Sequence, residues 1–278
     1  MHSKNIIPES LKNSFASVWK NKPLFAFLFV FQIIFFTIFS FINYHYMAKM
    51  VESSQAIYEY LNKLQLDEAK ISQDILQQKN ILGDDPLMIS RNFSEILGNF
   101  RIYMSYVFAL LIVFLSISWA LSNKFIAKIN LRQIAKIIFR NFVILLFYLG
   151  LVFMFLFSLL NISIIQLTTE SSKFFVKYII FLIVSAILSY FMFISLSLAG
   201  KVGLKDIVQK TLIAGIKKAH YVLAAYFINI SLLGISAFLA YYFFERNNLI
   251  FFLSLIMIIF SFVFGRILAI NVVDKLDD

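Results

Sequence analysis

The chain has 278 residues, of which 61% are hydrophobic and 14% are charged, and it contains no cysteine. Soluble domains are nearer half apolar and a quarter charged, so this composition excludes an ordinary soluble protein. The lack of cysteine excludes disulfides, thiolate catalysis, cysteine-ligated zinc and iron–sulfur clusters. The net charge of +10 is concentrated in short segments beside apolar stretches, a pattern typical of loops that face anionic lipid, and it argues against a nucleic-acid partner.

Six apolar stretches are each about 20 residues long or slightly longer, enough for a helix to cross a hydrocarbon core of about 30 Å. We therefore predict an all-α polytopic membrane protein that forms a single membrane domain, 1–278. It would have six transmembrane helices, amphipathic interfacial helices and a helical external hairpin after the first span. The six stretches are Leu24–Tyr44, Ile102–Leu121, Phe142–Leu160, Tyr178–Leu198, Tyr221–Phe244 and Leu249–Ala269.

The segments between the apolar stretches alternate between basic and neutral-to-acidic. The N-terminal segment, the second loop and the fourth loop are the basic ones. By the positive-inside rule these three face the cytoplasm, so both termini of a multi-pass protein of the cell membrane are predicted to be cytoplasmic. The first stretch is too long for a typical signal peptide and lacks a small-residue cleavage site, which favours a retained anchor.

The N-terminal segment, residues 1–23, has Leu11, Phe15, Val18 and Trp19 at helical spacing. Such a face predicts an amphipathic helix that lies in the cytoplasmic interface, with the indole near headgroup depth. Pro23 would mark the break into the first span, because proline suits the first turn of a new helix.

The longest segment outside the spans, residues 47–100, is predicted to be an external helical insertion. Ile57, Leu61 and Leu64 have helical spacing, and Gly83-Asp84-Asp85-Pro86 is a strong turn signal before a second helical piece over residues 88–100. Asn92-Phe93-Ser94 forms a sequon on this external segment, so Asn92 is a candidate for glycosylation.

The second cytoplasmic loop, residues 124–141, carries a basic residue at every fourth position. On an α-helix this repeat forms a slanting stripe of cations opposite a row of isoleucines. One interpretation is a helix that binds anionic headgroups or a protein partner on the cytoplasmic face. The other is a connector whose positive charges only fix the topology of the spans. Its members are Lys124, Lys128, Arg132, Lys136 and Arg140.

A third amphipathic helix is predicted over residues 201–219, where Leu204, Ile207, Val208 and Leu212 share a face. The segments 1–23, 124–141 and 201–219 together suggest a structural repeat of three units. Each unit would consist of an interfacial helix, an outward span, an external loop and a return span. The other interpretation is that any short basic loop between spans has this appearance.

Signs of chemistry are scarce. The central parts of the six stretches hold no ionisable side chain, and Arg266, toward the cytoplasmic end of the last one, is interpreted as a residue that snorkels to the interface. No zinc-protease, nucleophile-elbow or phosphate-loop motif is present. We therefore expect no catalytic site, no cofactor and no metal. Small residues concentrate in the fifth span, which predicts a central position in the bundle or a contact between copies of the chain.

Two resemblances bear on function. The run Ser10-Leu11-Lys12 through Trp19-Lys20-Asn21-Lys22-Pro23-Leu24, and the later Gly203-Leu204-Lys205-Asp206, resemble the corresponding starts in uncharacterised six-helix membrane proteins. The architecture is also similar to that of permease subunits of ABC-2-type exporters, which implies a separate ATPase as partner. This chain departs from those permeases at Glu245 to Asn248, because the connection is too short for their re-entrant helices.

The sequence thus favours a non-enzymatic integral membrane protein that acts through lipid or protein-partner contacts of its basic interfacial helices. The alternative is a permease subunit of an ABC-type exporter paired with an ATPase.

Overall fold

The structure is a computed structural model that describes residues 6–63, 85, 87–126, 129–161 and 171–277. Within these ranges the chain is helical and contains no strand. Six of the helices, α2, α3, α4, α5, α7 and α8, are long and apolar enough to cross a membrane, which confirms the six predicted spans. The helices are α1 (Ile6–Lys20), α2 (Lys22–Lys63), α3 (Met88–Asn123), α4 (Leu131–Leu159), α5 (Ser171–Leu198), α6 (Leu204–Leu212), α7 (Ala219–Phe243) and α8 (Asn248–Asp277).

The N-terminal segment forms α1, and a single turn residue, Asn21, separates it from α2. Pro23 therefore lies in the first turn of α2, where its missing N–H group leaves no helical hydrogen bond unmade. α1 buries Ser10 and Ser14 and leaves Phe15 and Trp19 exposed. A helix with one serine face against the protein and one aromatic face outside suits the edge of a membrane.

The second basic loop becomes helical later than predicted. Residues 124–126 form a turn, and α4 begins only at Leu131, so the predicted helix over 124–141 is wrong in its first part. The reason is a capping box: Gln133 N donates to Asn130 Oδ1 at 2.9 Å, and Asn130 N donates to Gln133 Oε1 at 3.0 Å. This reciprocal pair satisfies two N–H groups at the helix start and fixes the boundary there.

The third basic loop is helical over a shorter range than the predicted 201–219. α6 continues into a π-helical turn, Ile213–Lys217, and Lys218 then interrupts the helix before α7. The π turn lies close to α5, since Tyr190 Oη donates to the Gly215 carbonyl oxygen at 2.9 Å and a Cβ at Gly215 would overlap the Phe191 ring.

The three proposed repeat units consequently differ in how they enter their spans. α1 and α2 are separated by a turn, α6 and α7 by the π turn, whereas the second amphipathic stretch is continuous with α4. The repeat stays a prediction.

The insertion that is predicted to be external begins as a direct extension of the first apolar helix. α2 has 42 residues and runs about 63 Å at 1.5 Å per residue, well past the predicted membrane end at Tyr44. Ser53 Oγ on α2 donates to Glu95 Oε2 on α3 at 3.3 Å. Leu64 and the predicted turn at Gly83, Asp84 and Pro86 lie outside the described residues.

By internal contacts the chain divides into two compact units. The first unit comprises Met1–Thr37, Leu110–Val152 and Leu182–Asp278, and its core includes Leu28, Val263 and Ile267. The second unit comprises Ile38–Ala109 and Phe153–Phe181. Within the second unit Arg101 Nη2 donates to the carbonyl oxygen of Leu160 and to Asn161 Oδ1, both at 2.8 Å, which places a cation at the C-terminal end of α4.

The small residues of the fifth span, now α7, do not form one buried face. Ala225, Ser236 and Ala240 are buried, but Gly234 and Ala237 are exposed, and large side chains of the same helix are exposed as well. Phe227 and Tyr241 of α7 are 73% and 86% exposed, so the predicted central position of this span is wrong.

Candidate functional site

The first unit buries one arginine within its membrane helices. Arg266 of α8 is only 6% exposed, so the interpretation of Arg266 as a snorkelling residue is wrong. Its Nη1 donates to Gln32 Oε1 on α2 at 3.1 Å, and Gln32 is itself buried. A buried charge is costly unless it is paired and hydrogen-bonded, so a buried arginine marks a site that needs explanation.

Arg266 lines a cavity of about 270 Å³ enclosed by α3, α5, α7 and α8. Most of the lining is apolar, and the polar contributions come from a few convergent side chains, as in many ligand pockets. The large or polar side chains of the lining include Trp119, Tyr226, Asn229, Phe262 and Arg266.

Three of these side chains carry buried polar atoms that have no hydrogen-bond partner within the described part of the chain. They are Nε and Nη2 of Arg266, Nε1 of Trp119 and Oδ1 of Asn229. Trp119 is 1% exposed, so water outside the protein does not reach its indole N–H. Buried polar groups in proteins are almost always hydrogen-bonded, and unpaired ones cost about 1–3 kcal/mol each. One cavity therefore holds three unpaired donors and one unpaired acceptor.

The backbone of α8 is shaped for the asparagine of α7. A Cβ at Gly265 would overlap the side-chain amide of Asn229, so only glycine lets this amide lie against α8 beside Arg266. By contrast, a Cβ added at Gly234 of α7 would meet open space.

The cavity extends to the surface of the first unit. Two of its lining residues, Ile230 on α7 and Phe262 on α8, are exposed, Ile230 to 65%. Both belong to helices that are apolar enough to span a membrane.

The predicted basic stripe is divided by the structure. Lys124 is exposed in the turn, and Arg132 and Lys136 are exposed on the first turns of α4. Arg140, by contrast, donates from Nη1 to the carbonyl oxygen of Val202 at 2.6 Å and is half-buried. Lys128 lies outside the described residues. The two exposed cations of α4 are accompanied by exposed Leu131 and Phe139; we call these four residues the α4 surface.

Other basic residues attach the loops to the C-terminal part of α8. Lys201 forms an ion pair with Asp274, and Lys218 donates to the Leu276 carbonyl oxygen. Lys275 Nζ is 2.6 Å from Glu9 Oε2 on α1. These cations hold helix ends together, so only part of the basic charge near this end is available for a ligand.

Asn92, the candidate for glycosylation, lies in the first turns of α3, and its Nδ2 donates to the Met88 carbonyl oxygen at 3.0 Å. Its modification stays a prediction. Over the described ranges, no three His, Asp or Glu side chains come together as a metal site would require, and the expectation of no metal also stays a prediction.

Sequence reasoning missed the cavity because each member looks ordinary in isolation. Trp119 resembles an aromatic at a membrane edge, and Asn229 is one mild polar residue among apolar ones. The available signal was Arg266, the one residue inside a predicted span whose side chain is charged at neutral pH.

No protein-family model matches the sequence, and no curated protein and no solved structure is significantly similar to the chain. Function is therefore inferred from the chain's own residues and geometry.

Proposed function

We propose that the chain is a non-enzymatic, multi-pass membrane protein that binds anionic lipid headgroups through the α4 surface, with both termini in the cytoplasm. The observation that carries the proposal is the exposure of Arg132 and Lys136 next to exposed Leu131 and Phe139. Cations beside apolar side chains at the end of a span are typical of a helix at headgroup depth, where chains insert and charges meet phosphates.

The spacing of the two cations supports the same function. Residues four apart lie on one side of a helix, so Arg132 and Lys136 present adjacent charges. Each basic residue near an anionic surface contributes about 1 kcal/mol to attraction. Leu131, 83% exposed, supplies apolar area that a purely topological connector does not need. A protein partner with an acidic surface would use the same residues, and the experiment below separates the two.

The test compares lipids retained by the full-length protein after gentle solubilisation, measured by native mass spectrometry. The variant R132Q/K136Q is expected to bind phosphatidylglycerol about tenfold more weakly than the wild type. The matched control, K49Q/K63Q, removes two exposed charges from the outward part of α2 and should bind as the wild type does. Unchanged lipid retention by R132Q/K136Q, together with loss of a co-purifying protein, would show a protein partner instead.

The alternative, a permease subunit of an ABC-type exporter, has one feature in its favour: α1 leads into the first of six spans, as in those permeases. Against it, residues 244–247 are all that connect α7 to α8, which leaves no room for re-entrant helices. Stoichiometric recovery of an ATPase with the protein from native membranes would favour the exporter function, and its absence would favour lipid binding.

A further inference from the structure

We propose that the cavity beside Arg266 binds a single-chain anionic amphiphile whose headgroup combines a phosphate with a hydroxyl. The site lies within the membrane helices and shares no residue with the α4 surface, so the two proposals stand or fall separately. The class of ligand follows from three features of the cavity: its charge, its hydrogen-bonding groups and its apolar surface opening.

The charge comes from a guanidinium that has no acidic partner. Arginine remains protonated in proteins, and within the described ranges no carboxylate pairs with Arg266. Gln32, its acceptor among the described residues, is neutral. A buried cation whose only partner is neutral attracts an anion strongly, because the surrounding apolar groups do not screen the charge.

The unpaired nitrogens of Arg266 also define a shape. Nε and Nη2 form one edge of the planar guanidinium, and their parallel N–H bonds match two oxygens of a carboxylate or phosphate. The Nη1 nitrogen is the one that Gln32 occupies. The glutamine thus holds the side chain while leaving its bidentate edge toward the ligand.

The remaining polar atoms distinguish a phosphate headgroup from a carboxylate. Trp119 Nε1 offers a third donor, which suits a phosphate with its three terminal oxygens. Asn229 Oδ1 is an acceptor, so it requires a donor from the ligand. An ionised fatty acid has no hydrogen to donate, whereas a glycerol phosphate carries a hydroxyl. A phosphate with a neighbouring hydroxyl therefore satisfies all four atoms, and a carboxylate does not.

The ligand needs an apolar chain because the cavity is mostly apolar and reaches a lipid-facing surface. Its volume of about 270 Å³ is near the lower end of ligand pockets, which are about 300–1,000 Å³. That volume holds a headgroup and the first part of one chain. The rest of the chain leaves past Ile230 and Phe262 into the surrounding lipid.

The chain provides its own probe of this site. It has two tryptophans, Trp119 in the cavity and Trp19, which is 73% exposed on α1. In the full-length W19F variant the fluorescence of Trp119 reports the cavity alone. Titration with oleoyl lysophosphatidic acid in detergent is expected to change this fluorescence saturably, and W19F/R266M is expected to bind about tenfold more weakly or worse.

Matched variants and ligands separate charge, shape and chain. W19F/K49Q removes one exposed cation of α2 that lies outside the cavity and should bind as W19F does. W19F/R266K keeps the charge but loses the bidentate edge, so its affinity should fall between those of W19F and W19F/R266M. Monooleoylglycerol and inorganic phosphate should each bind at least about tenfold more weakly than the lysophosphatidic acid.

Several outcomes would overturn the proposal. Equal affinity for monooleoylglycerol would show an apolar groove without anion recognition, and equal affinity for inorganic phosphate would show an anion site without a chain. Oleate binding as tightly as the phosphate would refute the headgroup assignment. Unchanged binding by both W19F/R266M and W19F/R266K would remove Arg266 from recognition, and the lysine variant keeps the test valid if the methionine variant does not fold.

Discussion

Gln32 Oε1 on α2 accepts a hydrogen bond of 3.1 Å from Arg266 Nη1 on α8, which joins positions 234 residues apart in the sequence. Gln32→Leu removes this acceptor from a buried cation and is expected to lower stability by about 1.5–3 kcal/mol. Arg266→Met leaves only a neutral amide unpaired and should lower it less, since it also removes the buried charge.

The double variant Q32L/R266M replaces both partners by apolar groups and should recover most of the loss. Unfolding of the four proteins in one detergent, arranged as a double-mutant cycle, measures the coupling between the two side chains. Additive effects of the two substitutions would contradict a direct interaction between them.

Gly265→Ala is expected to destabilise the protein by about 1–3 kcal/mol. A Cβ at this position overlaps the Asn229 amide, so either the asparagine or the α7–α8 packing must shift. Gly234→Ala is the matched control on α7, because its new methyl group meets open space. Alanine at that position should be neutral or stabilising by up to about 1 kcal/mol through its helix propensity. Thermal unfolding of both variants tests the difference, and equal effects would show that the overlap does not matter.

The serine face of α1 is expected to be protected by its contact with α8. Asn271 Nδ2 donates to Ser14 Oγ at 2.8 Å, and Ser10 is fully buried nearby. Because the natural chain has no cysteine, Ser10→Cys introduces a single thiol. Its labelling by a maleimide should be slow and should accelerate about tenfold in the Asn271→Leu background, where α1 is held less tightly.

Asn13→Cys on the exposed side of α1 is the control for this experiment, with rapid labelling in both backgrounds. A Ser10→Cys thiol that reacts as fast as Asn13→Cys would mean that α1 does not stay on α8.

The orientation of the spans is testable with the same cysteine-free background. Single cysteines at exposed Asn13 and Lys205 are expected to react with a membrane-impermeant maleimide only after the cytoplasmic side is opened. Cysteines at exposed Ser90 and Glu245 should react from outside in intact cells. Reaction of Asn13→Cys in intact cells would reverse the predicted topology.

The sequence was sufficient to predict the six spans because the signal for a membrane helix is a continuous stretch of about 20 apolar residues. The sequence also contains a signal for the start of α4, because Asn130 and Gln133 have the spacing of a capping box. The regular spacing of the basic residues led us to predict an earlier start. Periodic charge identifies which side of a helix is polar, whereas the capping residues determine where that helix begins.

The cavity could not be predicted in the same way because it depends on contacts between distant segments. Gln32, Trp119, Asn229 and Arg266 come from four helices, and no spacing along the chain relates them. An arginine inside an apolar stretch has two outcomes, extension to the interface or burial beside a partner. The arginine is buried where a polar side chain such as Gln32 lies opposite it. Whether such a partner is present depends on the tertiary structure.

The length of α2 has a consequence for how far the protein extends beyond the predicted membrane span. The nineteen residues beyond the predicted span, 45–63, rise about 28 Å, close to the thickness of a second hydrocarbon core. α3 begins at Met88, also well before its predicted span, and the Ser53–Glu95 hydrogen bond connects the two extensions. With the predicted orientation these two extensions face outside, so antibodies raised against intact cells are expected to recognise residues 45–63 or 88–100.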